Sequence, residues 1–368
     1  MKKMPPKNVI NAEFSEAVLA WFAEHGRKDL PWQQQPTAYR VWVSEIMLQQ
    51  TQVNTVLGYY QNFMQHFPDI QSLATAPLDE VLAQWSGLGY YARARNLHRA
   101  AQQIQQQFKG EFPQEFEQVI ELAGIGRSTA GAILALAFGQ SHPILDGNVK
   151  RVLCRYHAIP TPADETATSR LLWELATNYT PVEQVGEYTQ AMMDLGATLC
   201  TRSRPQCSRC PINTNCQAAQ QGNPQAYPVP KQRKTIPVKT AVFLMLQQPT
   251  GEILLEQRPA QGIWGGLWSF PECADVDEIH RYCEQELGIQ VQKYKIWESL
   301  RHTFTHFHLD ILPVQIAINR EQSTAIALSN RVWYKVATPI KLGLAAPVAR
   351  LIQELTAFPA RPVQDCLL

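Results

Sequence analysis

The sequence predicts two dissimilar parts, an all-helical N-terminal region and then a smaller α+β domain. Three observations carry that expectation. Apolar residues recur at three- and four-residue steps in one segment after another up to about residue 156, the spacing of a buried helix face. A stretch near residues 217–238, QAAQQGNPQAYPVPKQRKTIPVK, is rich in Gln, Pro and Lys/Arg and lacks helical or strand periodicity, so it reads as a linker. Beyond it, TAVFLMLQQPTGEILLEQRP reads as strand, turn, strand, with Pro-Thr-Gly at the turn. At 368 residues the chain also exceeds what one hydrophobic core ordinarily serves.

Taken in order, helices are predicted over Glu13–His25, Val41–Phe67, Leu78–Trp85, Ala92–Phe108, Phe116–Leu122, Ser128–Phe138 and Val149–Tyr156, each with its apolar positions on one face. After the linker come the strand pair, a helix over Ile279–Leu287 and a further strand in LDILPVQIAI. The apolar fraction is 45% and the net charge +1. The first is ordinary for a globular protein, and the second means that any nucleic-acid binding must rest on local patches. The start, MKKMPPKNVI, has lysines but no apolar core of signal-peptide length, and no run of about 18 apolar residues follows. The expectation is a cytoplasmic protein with no membrane partner.

Cys200, Cys207, Cys210 and Cys216 follow the spacing C-x6-C-x2-C-x5-C on a stretch rich in turn residues, TRSRPQCSRCPINTNC. One C-x-x-C pair flanked by two more distant cysteines can wrap four thiolates around a structural zinc or an iron–sulfur cluster. Zinc ribbons usually carry two close C-x-x-C knuckles, and one is present here. Disulfides fit poorly with a chain lacking a secretory signal. Spacing alone leaves both metal centres open. Cys154, Cys273, Cys283 and Cys366 read as reduced and structural.

In ELAGIGRSTAGAILALAFG, Glu121–Gly139, Gly124 and Gly126 bracket Ile125 between an incoming helix and an outgoing apolar one. Glycine lets the chain turn tightly and approach a ligand, and the unpaired N–H groups opening the next helix suit a phosphate oxygen. This is the layout of a helix-hairpin-helix, which grips the DNA backbone without reading sequence, although ordinary helix–helix turns contain glycine too. Some twenty residues on, HPILDGNVKRVLCR sets Asp146 before a helix striped by Val149, Val152 and Leu153. There Asp146 or Asn148 is equally well an N-cap.

The hairpin, the downstream aspartate and the cysteine spacing together resemble the HhH-GPD superfamily of DNA glycosylases. Within it the chain resembles the adenine DNA glycosylase (MutY) family over essentially its whole length. The motifs are LPWQQQPTAYRVWVSEIMLQQTQV (Leu30–Val53), WSGLGYYARARNL (Trp85–Leu97), LAGIGRSTAGAI (Leu122–Ile133), PILDGNVKR (Pro143–Arg151), QAMMDLGATLCTR (Gln190–Arg202) and RHTFTHFHLDI (Arg301–Ile311), in the family's order. The resemblance implies a catalytic region over 1–225, with a six-helix barrel over about 32–140 and an iron–sulfur domain built from the N-terminal helix and 141–225. It further implies a linker over 226–238 and a Nudix-like domain over 239–368. The four cysteines are then expected to hold a 4Fe–4S cluster, which decides between iron–sulfur and zinc. The implied enzyme is a monomer that removes adenine mispaired with 8-oxoguanine or guanine in double-stranded DNA, the first step of base excision repair.

Cleaving a purine N-glycosidic bond asks for two carboxylates, one to protonate the departing base and one to face the cationic sugar. Glu45 is the candidate acid, on a helix among Val41, Ile46, Met47 and Leu48, where desolvation would raise its pKa. A solvated surface glutamate is the ordinary alternative, and the match of VSEIMLQQT to the family weighs against it. Asp146 then plays the stabilising or nucleophilic carboxylate, ionised near a helix start. In bifunctional relatives such as endonuclease III a lysine follows the hairpin and attacks the sugar. Here Ser128 stands at that place and cannot form the imine, so the resemblance implies a monofunctional glycosylase. Lys150 could form an adventitious imine or face a phosphate.

Base flipping is required, because the target bond is unreachable in the stack. Gln49, Gln50 and Thr51 resemble residues that fill the vacated stack, and Leu88 and Tyr90 the wedge beside it. Arg93, Arg95 and Arg99 are expected on phosphates, with Gly124, Gly126, Ser128, Asn148 and Lys150 also near the DNA. Arg202, Arg204 and Arg209 make the cysteine loop a positive surface. The C-terminal part keeps a Nudix-like opening in Gly266 and Glu272 and a close in Gly288 and Ile289, but Tyr282 and Gln285 replace two acidic positions. Magnesium needs clustered carboxylates, so pyrophosphate hydrolysis is not expected. Phe304, Thr305 and His306 stand where the family's 8-oxoguanine-reading loop has Phe-Ser-His.

Overall fold

The computed structural model describes residues 7–231, 235–326, 330–337 and 342–357, so Cys366 lies outside the described residues. The chain separates into two units, Met1–Thr75 with Asn96–Arg233 and Ala76–Arg95 with Lys234–Leu368.

The first unit is helical. Its central element is Arg127–Phe138, buried along Ala130–Ala135 and packed against Ala38–Leu48 and Val185–Asp194. A helix wrapped on more than one side shows a broad apolar run instead of a narrow stripe, which is how this segment reads in sequence. The N-terminal helix, Lys7–His25, packs on Val185–Asp194 and Thr166–Tyr179. Phe14 anchors it, with its ring 4.9 Å from that of Tyr156 and 4.2 Å from that of Tyr179. Such aromatic pairs add about 0.5–1.5 kcal/mol each beyond area burial.

Two expectations change. The single helix predicted over Val41–Phe67 is broken into Ala38–Leu48 and Val53–His66, with Gln50 at φ +56. The apolar period survives the break because both pieces bury a face, through Val43, Ile46 and Met47 in one and Val56, Tyr60 and Phe63 in the other. Part of the expected linker is also structured. Gln217–Gln220 is helical, Pro224–Ala226 forms a 3-10 turn, and the Tyr227 carbonyl accepts from Arg155 Nε at 3.0 Å.

The second unit is a mixed sheet. In order across it run Trp268–Ser269, Ile253–Gln257, Val238–Gln247, His308–Ala317 and Lys295–Ile296. Val238–Gln247 and His308–Ala317 are parallel, in register from Val238 opposite His308 to Gln247 opposite Ala317. The remaining pairs are antiparallel, among them Leu300–Thr303 with His308–Ala317 and Arg331–Tyr334 with Ile253–Gln257. The helix Ile279–Leu287 lies on one face, where Ile279, Cys283 and Leu287 pack with Val242, Leu244, Leu246, Val314 and Ile316.

Ala76–Arg95, which chain order places within the helical region, belongs to this second unit. Tyr91 Oη and Ser86 Oγ both donate to the Leu344 carbonyl, at 3.0 and 3.3 Å. Gln257 Nε2 donates to Asp79 Oδ1 at 3.2 Å, and Arg95 Nη1 to the Gly265 carbonyl at 2.6 Å.

Candidate active site

Asp146 is the N-cap of the helix Gly147–Tyr156. Its Oδ1 accepts from the backbone N–H groups of Asn148 and Val149 at 3.1 and 2.8 Å, and its Oδ2 from the Asn148 side-chain amide at 3.2 Å. The cap reading and the carboxylate reading therefore concern the same atoms. The segment before it is pinned as well, because the Leu145 N–H donates to Ser128 Oγ at 2.9 Å. The approach is close at Gly131, where a Cβ would fall 2.6 Å from the Pro143 carbonyl oxygen, so no side chain fits there.

Glu45 lies on the inward part of Ala38–Leu48, flanked by buried Ser44, Ile46 and Met47. Burial, and after it the charge of Asp146, push its carboxyl from 4.5 up to about 8. Burial also raises Asp146, opposed by the N–H groups of Val149 and Asn148 and by the Arg151 charge. The upward direction departs from the simple expectation that a helix start lowers it, because desolvation is the larger effect. Glu45 feels the Asp146 charge, and the hydrogen-bond donors surround Asp146.

Sequence reasoning missed a cavity of about 580 Å³ that opens one helical turn from Glu45, at Val41. Trp32 and Phe22 give it aromatic wall, and Gln33, Gln184, Glu187 and Gln190 give it amides and a carboxylate. Its size lies within the usual range of small-ligand sites. Arg27 holds one side, with its backbone N–H 2.8 Å from Asp194 Oδ2 and its Nε 2.9 Å from Oδ1. Gln190 Nε2 donates to the same Oδ1 at 2.8 Å. The signal for the cavity was present in LPWQQQ and QAMMDLG, but nothing in spacing joins two motifs so far apart.

Gly124 turns the hairpin at φ +78, and a Cβ there would meet Asn96 Cβ at 2.7 Å. Gly126 is exposed and extended, so it leaves the helix start open. Gln49 donates to Thr129 Oγ1 at 3.4 Å, Gln50 is exposed, and Thr51 Oγ1 donates to the Gln49 carbonyl at 3.3 Å. Lys150 pairs with Asp164 at 3.0 Å. In the second unit Leu88 is buried while Tyr90 is 48% exposed at φ +51. Two arginines expected on phosphates are used otherwise. Arg93 is buried and donates to the Gly89 carbonyl at 3.1 Å, and Arg95 is the Gly265 donor described above. Phe304, Thr305 and His306 form the tip of the hairpin between Leu300–Thr303 and His308–Ala317, closed by the Phe304 N–H on the Phe307 carbonyl at 2.9 Å. Thr305 and His306 are exposed there.

Cys200, Cys207, Cys210 and Cys216 line one small cavity with Val152, Arg155 and Ile212. Among the described residues no three His, Cys, Asp or Glu side chains converge as a single metal ion requires. Burial pushes the Cys210 thiol up to about 12. Arg155 Nη1 donates to Cys200 Sγ at 3.3 Å and to the Thr201 carbonyl at 2.7 Å, while Arg151 Nε donates to the Cys200 carbonyl at 2.7 Å. The helix capped by Asp146 thus also grips the cysteine loop. In the second unit Glu272 is held by Arg258 through a two-pronged pair at 2.7 and 3.0 Å.

Comparison with known proteins follows chain order, and keeps residues 76–95, which pack with the second unit, inside the first family's match. The family model for HhH-GPD superfamily base excision DNA repair proteins matches residues 43–178, and that for the NUDIX domain matches residues 241–354. Adenine DNA glycosylase of Buchnera aphidicola subsp. Acyrthosiphon pisum (strain APS) is 39% identical over 340 residues, covering 92% of this chain and 97% of that protein. The chain belongs to the adenine DNA glycosylase family. The Homo sapiens member is 38% identical over 311 residues, covering 70% of this chain and 57% of its own. A thermostable thymine-DNA glycosylase structure aligns with TM-score 0.53 at 25% identity, over 58% of this chain and 98% of that one. An endonuclease III–DNA complex shares the fold at TM-score 0.50 and 20% identity, over 60% of this chain and 99% of that one. Family membership accounts for an N-terminal helical region and a Nudix-like region in one chain. No described helix is long and apolar enough to cross a membrane.

Proposed function

We propose that this protein is a monofunctional DNA glycosylase that flips adenine out of duplex DNA and hydrolyses its glycosidic bond when the opposite base is 8-oxoguanine or guanine. The observation that carries the chemistry is the unequal carboxylate pair. Glu45, raised to about 8, keeps its proton at neutral pH and can give it to a ring nitrogen of the departing base. Asp146 is surrounded by donors and carries negative charge towards the sugar as its cationic character develops. The Trp32-walled cavity would receive the flipped base, with Gln33, Gln190 and Glu187 available to its polar edge. The hydroxyl of Ser128 accepts from Leu145 and supplies no amine, which favours water over an enzyme nucleophile and disfavours the endonuclease III-like lyase alternative.

The donor set of the cysteine cavity suits a 4Fe–4S cluster. Four cysteine sulfurs line one space, and the Arg155 guanidinium faces Cys200 Sγ, as thiolates favour. Cys200, Cys207, Cys210 and Cys216 would hold the cluster, which supplies a rigid cross-link for a loop carrying Arg202, Arg204 and Arg209. Phe304, Thr305 and His306 would read the base opposite adenine. The test is base excision on duplexes with adenine opposite 8-oxoguanine, guanine or thymine. Cleavage of the first two with little of the third is expected. Absence of excision on all three would overturn the assignment.

A further inference from the structure

The hairpin carrying Phe304–His306 meets the loop from Gly262 to Gly266 of the same unit, and Arg95, on the helix that follows the turn carrying Leu88 and Tyr90, reaches that loop as well. Trp264 within it sits at φ +52, a left-handed conformation that bulky residues rarely adopt and that persists where the surroundings over-determine it. The residue is 8% exposed, and its ring lies 5.3 Å from those of both His302 and Phe304. Phe304 is 4.7 Å from His302 and stacks on Phe307 at 4.4 Å. Phe304 is therefore gripped on several sides, while Thr305 and His306, the next two residues, stand in solvent.

The loop is tied down at two further points. Arg258 Nε donates to the Ile263 carbonyl at 2.8 Å, with its guanidinium 6.0 Å from the Trp264 ring. Arg95 Nη1 donates to the carbonyl of Gly265, the residue after Trp264. Arg95 itself continues from the Tyr90 turn, through its backbone N–H on the Tyr91 carbonyl at 3.1 Å. A four-residue hairpin tip has only its strand ladder to orient it, and a ring locked against its first residue removes the remaining swing.

We infer that Trp264 is a positioning residue for the tip Phe304–His306 and that Arg95 registers the Tyr90 turn against that tip through the same loop. Wedge and reader then keep a fixed separation, and the preference for the base opposite adenine depends on it. This rests on the reading of Phe304–His306 as the opposite-base reader.

The experiment uses the full chain and single-turnover excision of adenine opposite 8-oxoguanine and opposite guanine, with the thermal midpoint of each variant. Trp264→Gly is compatible with φ +52 and removes the ring with its Cβ. It should compress the ratio of the two rates by roughly three- to tenfold and leave the rate opposite guanine within about twofold. Trp264→Phe should restore most of the ratio, which loss of loop stability alone would not predict. Arg95→Met keeps the apolar stem and removes the donor, and should compress the ratio by roughly two- to fivefold.

A wild-type ratio in Trp264→Gly, or an equal loss on both substrates, would overturn the inference. The double variant Phe304→Ala with His306→Ala separates the two levels. If it too keeps the wild-type ratio, the reader assignment is at fault. If it loses the ratio while Trp264→Gly keeps it, only the positioning role fails.

Discussion

Glu45→Gln keeps the length and shape of the side chain and removes its transferable proton. The carboxyl is raised from 4.5 to about 8, by burial first and the Asp146 charge second. Excision should therefore fall by at least about a hundredfold, the usual loss when a general acid is removed, while DNA binding changes little. In the unmodified protein excision should hold steady through neutral pH and decline as pH rises through about 8. Stability follows the same proton. The folded form binds it more tightly than the unfolded chain, so the contribution is fully present below pH 4.5 and is lost as pH rises through about 8. The difference between 8 and 4.5 corresponds to about 5 kcal/mol at about 1.36 kcal/mol per pH unit, and water reaching the half-buried residue reduces this to about 2–4 kcal/mol. Glu45→Gln should be more stable than the parent by that amount at pH 8.5 and by little at pH 4.5. Urea unfolding at both pH values and single-turnover excision between pH 5 and 9 measure the two effects. Near-normal excision by the glutamine variant, or an unchanged dependence of stability on pH, would refute the assignment.

Three further outcomes are expected. Natively purified protein should be yellow-brown with about four irons, lost on Cys207→Ser or Cys210→Ser; stoichiometric zinc without visible absorption would contradict this. Phe304→Ala combined with His306→Ala should compress the preference for an 8-oxoguanine partner over guanine by roughly ten- to a hundredfold, from lost polar contacts of about 1–3 kcal/mol, with cleavage opposite guanine persisting. Arg27→Ala leaves the Asp194 carboxylate, 1% exposed, without its ion partner, and should destabilise the protein by about 3–5 kcal/mol in urea unfolding; a loss under about 1 kcal/mol would mean that Gln190 and water suffice.

Much of the fold was legible because burial writes a period into the chain. Ile279–Leu287 is a helix as predicted, and Ala92–Gln107 and Arg127–Phe138 differ from expectation only at an end. The failures have separate causes. Thr166–Tyr179 and Val185–Asp194 were not predicted because their inward positions include Thr168, Thr189, Gln190 and Asp194, polar residues that blur the apolar stripe. The break at Gln49–Gln52 escaped because the stripe runs through it. Arg93 and Arg95 read as phosphate contacts because charge in a sequence shows no direction, and the fold turns both to backbone carbonyls. The cavity beside Val41 draws on residues as distant as Phe22 and Gln190, and long-range convergence of that kind has no local signal.

The same limit applies to the two carboxylates, whose roles are assigned by position and not by type. Asp146 is the last residue before a helix, so two backbone N–H groups and the Asn148 amide point at it, and the Arg151 charge favours its ionised form. Glu45 is in mid-helix among buried neighbours, with the Asp146 charge against it. Burial raises both, but a pair with one set of donors divides its protons unequally: the charge stays on the capped residue and the proton on the other. Asp146→Asn tests this division without dismantling the helix, because asparagine is also a strong N-cap. It removes the charge that adds to burial in raising Glu45, so Glu45 should titrate below about 8 and still above 4.5. Carbon-13 labelling of the glutamate carboxyls would follow that midpoint. An unmoved Glu45 would mean that burial alone sets its proton, and that the two carboxylates act independently.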